Sequence, residues 1–329
     1  MKLEGKDGVL THYLMDIGNR SGDDSLTIVS YTHHLGVLVA LLRDVCGVTE
    51  IERVTVLHLR QCVQHLLTVP VKVVTRRPES ENGVLAVSSV KGYVRVWKAF
   101  FNWCYQEELI DTNPVARLKP PKVPKKITPT FTDEHIEKMI AACDTSTPLG
   151  FRDYVILLLL LDTGIRLAEI ANLTLDDVHE GYIKVTGKGR KDREIGIHPD
   201  VSKLLWKYIH KYRKSVAPDE RALFIGRKGP LTNTGITAII KRIQRESGLS
   251  DIKLTPHVFR HTHSKMYMDN GGDLFKLSRE LGHSSVQITK IYLEDFGSTE
   301  ARKDHNSYTP ISFIHLKKNV RRRASGDKK

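Results

Sequence analysis

Between Thr255 and Tyr292 the chain gathers side chains that bind phosphate and move protons: His257, Arg260, His283 and Tyr292. Guanidinium binds an anionic oxygen pair as a planar fork and keeps its charge at any working pH. Imidazole exchanges protons near neutrality, and a phenol is a latent oxygen nucleophile.

The local sequence dictates how these groups are presented. Thr255 is a hydroxyl N-cap, and Pro256 is already locked at helical φ, so a helix begins there. His257 and Arg260 then share one face, with His261 beside them. Asn270-Gly271-Gly272 stops that helix, and Asp273 caps the next, which runs to Leu281. Gly282 breaks the chain and leaves His283 in a turn. Ser284 with Gln287 forms a capping box, which puts Tyr292 in the third turn of a last short helix.

Two upstream segments carry further cations at element ends. Tyr154 to Leu161 is the longest apolar run and reads as a buried helix, ended by Asp162-Thr163-Gly164. That turn delivers Arg166 three residues before Glu169, a spacing that taken alone also fits a surface ion pair. Tyr182–Val185 and Glu194–Ile197 alternate as strands around Gly187–Arg193, which places the glycine-flanked Lys188 at a hairpin tip. By composition Lys188 could equally be a solvated turn lysine.

His-x-x-Arg, then Leu-Gly-His, then Tyr nine residues later resembles the tyrosine recombinases of the phage integrase family. Thr163–Ile170 resembles that family's first arginine box, and Gly187–Arg193 its lysine-bearing β-turn. In this order the motifs cover about residues 20–295. The resemblance implies a catalytic set of Arg166, Lys188, His257, Arg260, His283 and Tyr292, with Glu169 orienting Arg166. Tyr292 would be the nucleophile, its ionisation at pH 7 costing roughly 4 kcal/mol against a pKa of about 10, which the nearby cations offset. Lys188 would protonate the leaving 5′ oxygen. The 3′-phosphotyrosyl bond so formed keeps the phosphodiester energy for resealing, so the scheme requires neither ATP nor a metal, and no cofactor is expected.

Bulk properties agree with a nucleic-acid partner. The net charge is +13 and the isoelectric point near 9.5, which favours a polyanion over a membrane. Cys46, Cys62, Cys104 and Cys143 are scattered and read as reduced residues. With no signal-peptide pattern at the N-terminus, a cytoplasmic, nucleoid-associated protein is expected. His257, His261 and His263 share a His-x-x-x-His-x-His spacing, but no carboxylate or cysteine stands at ligand spacing beside them. Tyr308, next to Thr309-Pro310, rivals Tyr292 by chemistry only.

The expected fold is mainly α with a small antiparallel sheet, in two domains: a helical core-binding domain and an α+β catalytic domain that clamp DNA. Residues 1–24 read as a loose lead-in, 25–113 as the helical domain, 114–130 as a basic Pro-rich linker, 131–295 as the catalytic domain, and 296–329 as a tail. A helix from Ser25 has Leu26, Val29, Leu35, Leu38 and Leu42 at helical spacings. The helix after Ser88 carries Val90, Val94, Trp97 and Phe101 on one side and Lys91, Arg95 and Lys98 on another. Those cations, with Lys122, Lys125 and Lys126 of the linker and Lys241, Arg242 and Arg245 of a later helix, are the expected DNA contacts. The tail is apolar at Ile311, Phe313, Ile314 and Leu316, then basic at Arg321–Arg323, and is expected to dock on a neighbouring protomer or on its own domain. The expected partners are duplex DNA with paired sites, three further copies of the chain, and accessory DNA-bending or directionality proteins. The rivals are a type IB topoisomerase-like nicking-closing enzyme and a non-catalytic DNA-binding protein of the same fold.

Overall fold

The computed structural model describes residues 2–3, 8–21, 25–70, 83–124, 128–187, 192–214, 217 and 219–283. Lys125, Lys126, Lys188, Tyr292, the Ser284–Gln287 box, Tyr308 and the tail lie outside them. The chain divides into two compact units, residues 1–126 and 127–329.

The first unit is helical, with α1 (Val9–Ser21), α2 (Ser25–Asp44), α3 (Val56–Thr68) and α4 (Val87–Gln106). Thr55 caps α3 by accepting from the His58 N–H, and the His58 side chain accepts in return from the Thr55 N–H. The core is where the periodicity puts it: Leu35, Leu38 and Leu42 of α2 meet Val90, Val94, Trp97 and Phe101 of α4. Trp97 donates its indole N–H to the His34 carbonyl at 3.1 Å.

Three sequence expectations are corrected here. Residues 9–21, read as part of a loose lead-in, form α1, because Val9 and Tyr13 stand one turn apart and both are buried. Val29, placed on the apolar face of α2, is 66% exposed. Val115 and Leu118, inside the segment read as linker, pack into the first core.

The second unit is built around α6 (Pro148–Thr163), which Thr147 caps and whose Val155, Ile156, Leu159 and Leu160 are buried. α5 (Asp133–Ala141) precedes it, capped by Thr132, with Met139 buried. α7 (Leu167–Asn172) follows, then an antiparallel sheet of β1 (Val178–His179), β2 (Tyr182–Thr186) and β3 (Asp192–Gly196). Lys184 faces Glu194 across β2 and β3, and Thr186 faces Asp192. Next come α8 (Pro199–Lys207), a π turn over Tyr208–Tyr212, and a short hairpin of β4 (Ile225–Gly226) and β5 (Gly229–Pro230).

α9 (Asn233–Ser247) buries Ile236, Ile239, Ile240 and Ile243. α10 (Pro256–Asp269) packs on α6, and α11 (Leu274–Leu281) packs on β3. Phe259 of α10 meets Phe131 edge to face at 4.8 Å, and Thr262 accepts from the Phe131 N–H at 2.9 Å. α6, α10, α11 and β3 are the parts that position the site.

Candidate active site

Two glycines shape the floor. Gly164 ends α6 in the left-handed region at φ 57°, and a Cβ there would come within 2.8 Å of His263 and 3.1 Å of Leu281. Gly282 ends α11 at φ 64°, where a Cβ would press on the Arg193 guanidine at 2.9 Å. Only glycine meets both the backbone and the space requirement.

Arg166 is the residue immediately before α7, at φ −72° and ψ 149°. Its Nη1 donates to Glu169 Oε1 at 2.9 Å, and its backbone N–H donates to Glu169 Oε2 at 3.0 Å. Its Nη2 donates to the Gly282 carbonyl at 3.0 Å. The side chain stays 39% exposed, so the guanidinium is fixed yet open to solvent on one side.

Arg260 rises from the first turns of α10 and is buried. Its Nη1 donates to the Gly164 carbonyl at 2.9 Å, and its Nη2 donates to the Leu281 carbonyl at 2.7 Å. The adjacent carbonyls of Leu281 and Gly282 therefore take one guanidinium each, and His283 follows directly. Its Nε2 lies 2.8 Å from Arg260 Nη2. Burial and then the Arg260, Arg166 and Arg193 charges push the His283 imidazole down to about 4.

Glu169 is buried among these cations. Burial alone would raise its carboxyl, but Arg193 and Arg166 outweigh it and hold the group down to about 2. Arg193 was not among the residues expected at the site. Its Nη1 and Nη2 donate to the two Glu169 oxygens, each at 2.8 Å, and its Nε donates to the Glu280 carbonyl at 2.6 Å. A signal was present in the alternation of β3, where Arg193 shares a face with Ile195 and Ile197, and an arginine on an inward face needs a partner.

Of the other expected residues, His257 stands exposed on the first turn of α10. His263 packs under Gly164 and donates through Nδ1 to the Leu161 carbonyl at 3.1 Å, which spends one of the nitrogens weighed for metal binding. Burial pushes His263 down to about 4. Among the described residues no group of three or more His, Cys, Asp or Glu could hold a metal ion. No helix among them is long and apolar enough to cross a membrane.

Lys91 and Arg95 are exposed on α4, whereas Lys98 donates to the Leu118 carbonyl at 3.1 Å. Lys122 is exposed just before the end of the first unit. On α9, Lys241 and Arg245 are exposed. Arg242 stays partly exposed and forms an ion pair with the buried Asp153, which also binds Arg152 at 2.6 Å.

Residues 129–297, just over half of the chain, match the family model described as the phage integrase family. The tyrosine recombinase XerD of Listeria monocytogenes is 32% identical over 210 residues, 62% of this chain and 70% of that protein. XerC of Chlamydia caviae is 33% identical over 211 residues, 63% of this chain and 67% of the relative. Among solved structures, the Tn1549 transposon integrase in complex with a circular intermediate DNA superposes with a TM-score of 0.72 at 19% identity, covering 92% of this chain and 99% of that one. The XerH recombinase bound to its difH substrate gives 0.65 at 20% identity, covering 91% and 84%.

Proposed function

This chain belongs to the phage integrase family, as a tyrosine recombinase that breaks and rejoins DNA at specific sites, and we propose how its own residues divide that work. Arg166 and Arg260 neutralise the non-bridging oxygens of the scissile phosphate, and His283 adds a hydrogen bond. Tyr292 attacks phosphorus through its phenol oxygen. The bond to the 5′ oxygen breaks, and Lys188 gives that oxygen a proton while His257 assists proton transfer. A 3′-phosphotyrosyl link remains. A free 5′-hydroxyl reverses the step, expels the phenolate and reseals a strand.

The observation that carries this reading is the meeting of Arg166 and Arg260 on the carbonyls of Gly282 and Leu281, beside His283. A surface ion pair has no need of such a construction. Placing two guanidinia by backbone acceptors fixes their positive charge before substrate arrives, which is how electrostatic stabilisation of a transition state is prepared. Exposed Lys91, Arg95, Lys122, Lys241 and Arg245 supply phosphate contacts along the duplex, and four copies pair two sites. Accessory DNA-bending or directionality proteins act on that assembly.

A supercoiled plasmid carrying two copies of the DNA that flanks this gene tests the reading. Deletion or inversion between the copies is expected. Relaxation without exchanged partners would instead make the protein a nicking-closing enzyme, and binding without any strand breakage would make it a non-catalytic DNA-binding protein.

A further inference from the structure

We propose that Arg193 is a positioning residue that sets the geometry of the phosphate-binding cluster from β3, the strand that follows Lys188 in the chain. The proposal rests on the tyrosine recombinase reading and extends it to a residue outside the expected catalytic set.

Two connections of its side chain and the place of its backbone carry it. Arg193 grips Glu169 through two parallel bonds of 2.8 Å, and Glu169 in turn fixes both the backbone and the guanidinium of Arg166. Its Nε holds the Glu280 carbonyl at 2.6 Å, and its guanidine lies against Gly282, so it also pins the turn that presents His283. Its backbone sits in β3, paired with Val185 of β2 and one residue after the Thr186–Asp192 pair. An arginine that served only to neutralise Glu169 would have no use for the Glu280 carbonyl. Here a single planar fork ties the Arg166 box, the His283 turn and the hairpin strand into one rigid piece.

The surroundings define what a substitution must reveal. Glu169 faces Arg166 from the start of α7 and Arg193 from β3. His283 feels Arg260, Arg166 and Arg193, and the cleft beside it is lined by Lys184, Asp192, Glu194, Arg279 and Glu280. In Arg193→Ala, Glu169 keeps its burial and loses its stronger counter-ion, so its carboxyl titrates higher and Arg166 is released as it protonates.

The test measures single-turnover cleavage of a nicked DNA substrate by the full chain, from pH 5 to 8, beside DNA affinity. Arg193→Ala is expected to bind DNA within about threefold of wild type and to cleave about a hundredfold more slowly, as misplacing reacting groups by about 1 Å does. Its acid limb is expected to move up into the measured range and to disappear when Glu169→Gln is added. Arg193→Lys keeps the charge but not the fork, so its acid limb should stay low while its rate falls about tenfold. Wild-type rate and acid limb in Arg193→Ala overturn the proposal. If Arg193→Ala does not fold, Arg193→Lys decides, and a wild-type rate there overturns it as well. Absence of any adduct from the unaltered chain would reject the recombinase reading itself, a separate outcome.

Discussion

Arg260 Nη2 lies 2.8 Å from His283 Nε2. A guanidinium has hydrogens to give and no lone pair to offer, so His283 Nε2 is the acceptor. The imidazole is therefore neutral and carries its proton on Nδ1. Any hydrogen bond His283 donates to a phosphate leaves from Nδ1, with the ring angle fixed by Arg260. One residue thus orients the other.

The first prediction concerns that proton. The folded imidazoles of His283 and His263 are both held down to about 4, against an ordinary value near 6.5. Between those values the unfolded chain binds more protons than the folded one, so stability rises with pH across that window and falls as the solution is acidified. Nitrogen-15 NMR at pH 7 should find His283 neutral with its proton on Nδ1, and both rings titrating near 4. A His283 midpoint at 6–6.5 would contradict the arrangement.

Gly164 gives the second. Alanine there must adopt φ 57° and push on His263 and Leu281 at once. Gly164→Ala should cost about 1–2 kcal/mol for the left-handed backbone, with the steric clash added to it. Because the Gly164 carbonyl accepts from Arg260, cleavage should fall more than DNA binding does. Unfolding curves and single-turnover rates check this, and equal losses in binding and cleavage would count against it.

How much of this was readable in the sequence follows from what is local. The cap at Thr255, the αL glycines at Gly164 and Gly282, and the buried face of α4 depend on neighbours a few residues apart, and they stand where spacing puts them. The Arg166–Glu169 pair was legible for the same reason. The partners of Arg193 were not, because they lie 24 residues back at Glu169 and 87 ahead at Glu280. The ion pair of Arg242 was not legible either, because the buried carboxylate of Asp153 lies on a different helix. Helix α1 was missed because its short apolar stripe is diluted by Asp16, Gly18 and Asn19. Secondary structure is set by nearest neighbours, whereas buried charge is settled by partners that only folding brings close.

The third prediction concerns Lys188. If it protonates the leaving 5′ oxygen, Lys188→Ala should cleave ordinary DNA poorly and recover on a substrate with sulfur at the 5′ bridging position, a leaving group that needs no proton. Equal impairment on both substrates would make Lys188 a phosphate binder or a structural residue.

The fourth separates the cations of α4. Lys91 and Arg95 are exposed, whereas Lys98 holds the Leu118 carbonyl. Replacing Lys91 and Arg95 together with alanine should weaken binding to all sequences alike and reduce the log–log salt slope by about two, one for each lost phosphate contact. Lys98→Ala should lower the thermal stability of the first unit as well. An unchanged slope in the double variant would return the two residues to ordinary solvated surface.

The most direct test is where DNA becomes attached to the protein. A nicked substrate that lets the cleaved fragment diffuse away traps the covalent intermediate, and peptide mapping locates the modified residue. The account predicts a 3′-phosphotyrosyl bond at Tyr292, absent in Tyr292→Phe while DNA binding is retained, since only a hydroxyl is removed. An adduct that persists in Tyr292→Phe, or one that maps to Tyr308, would contradict it.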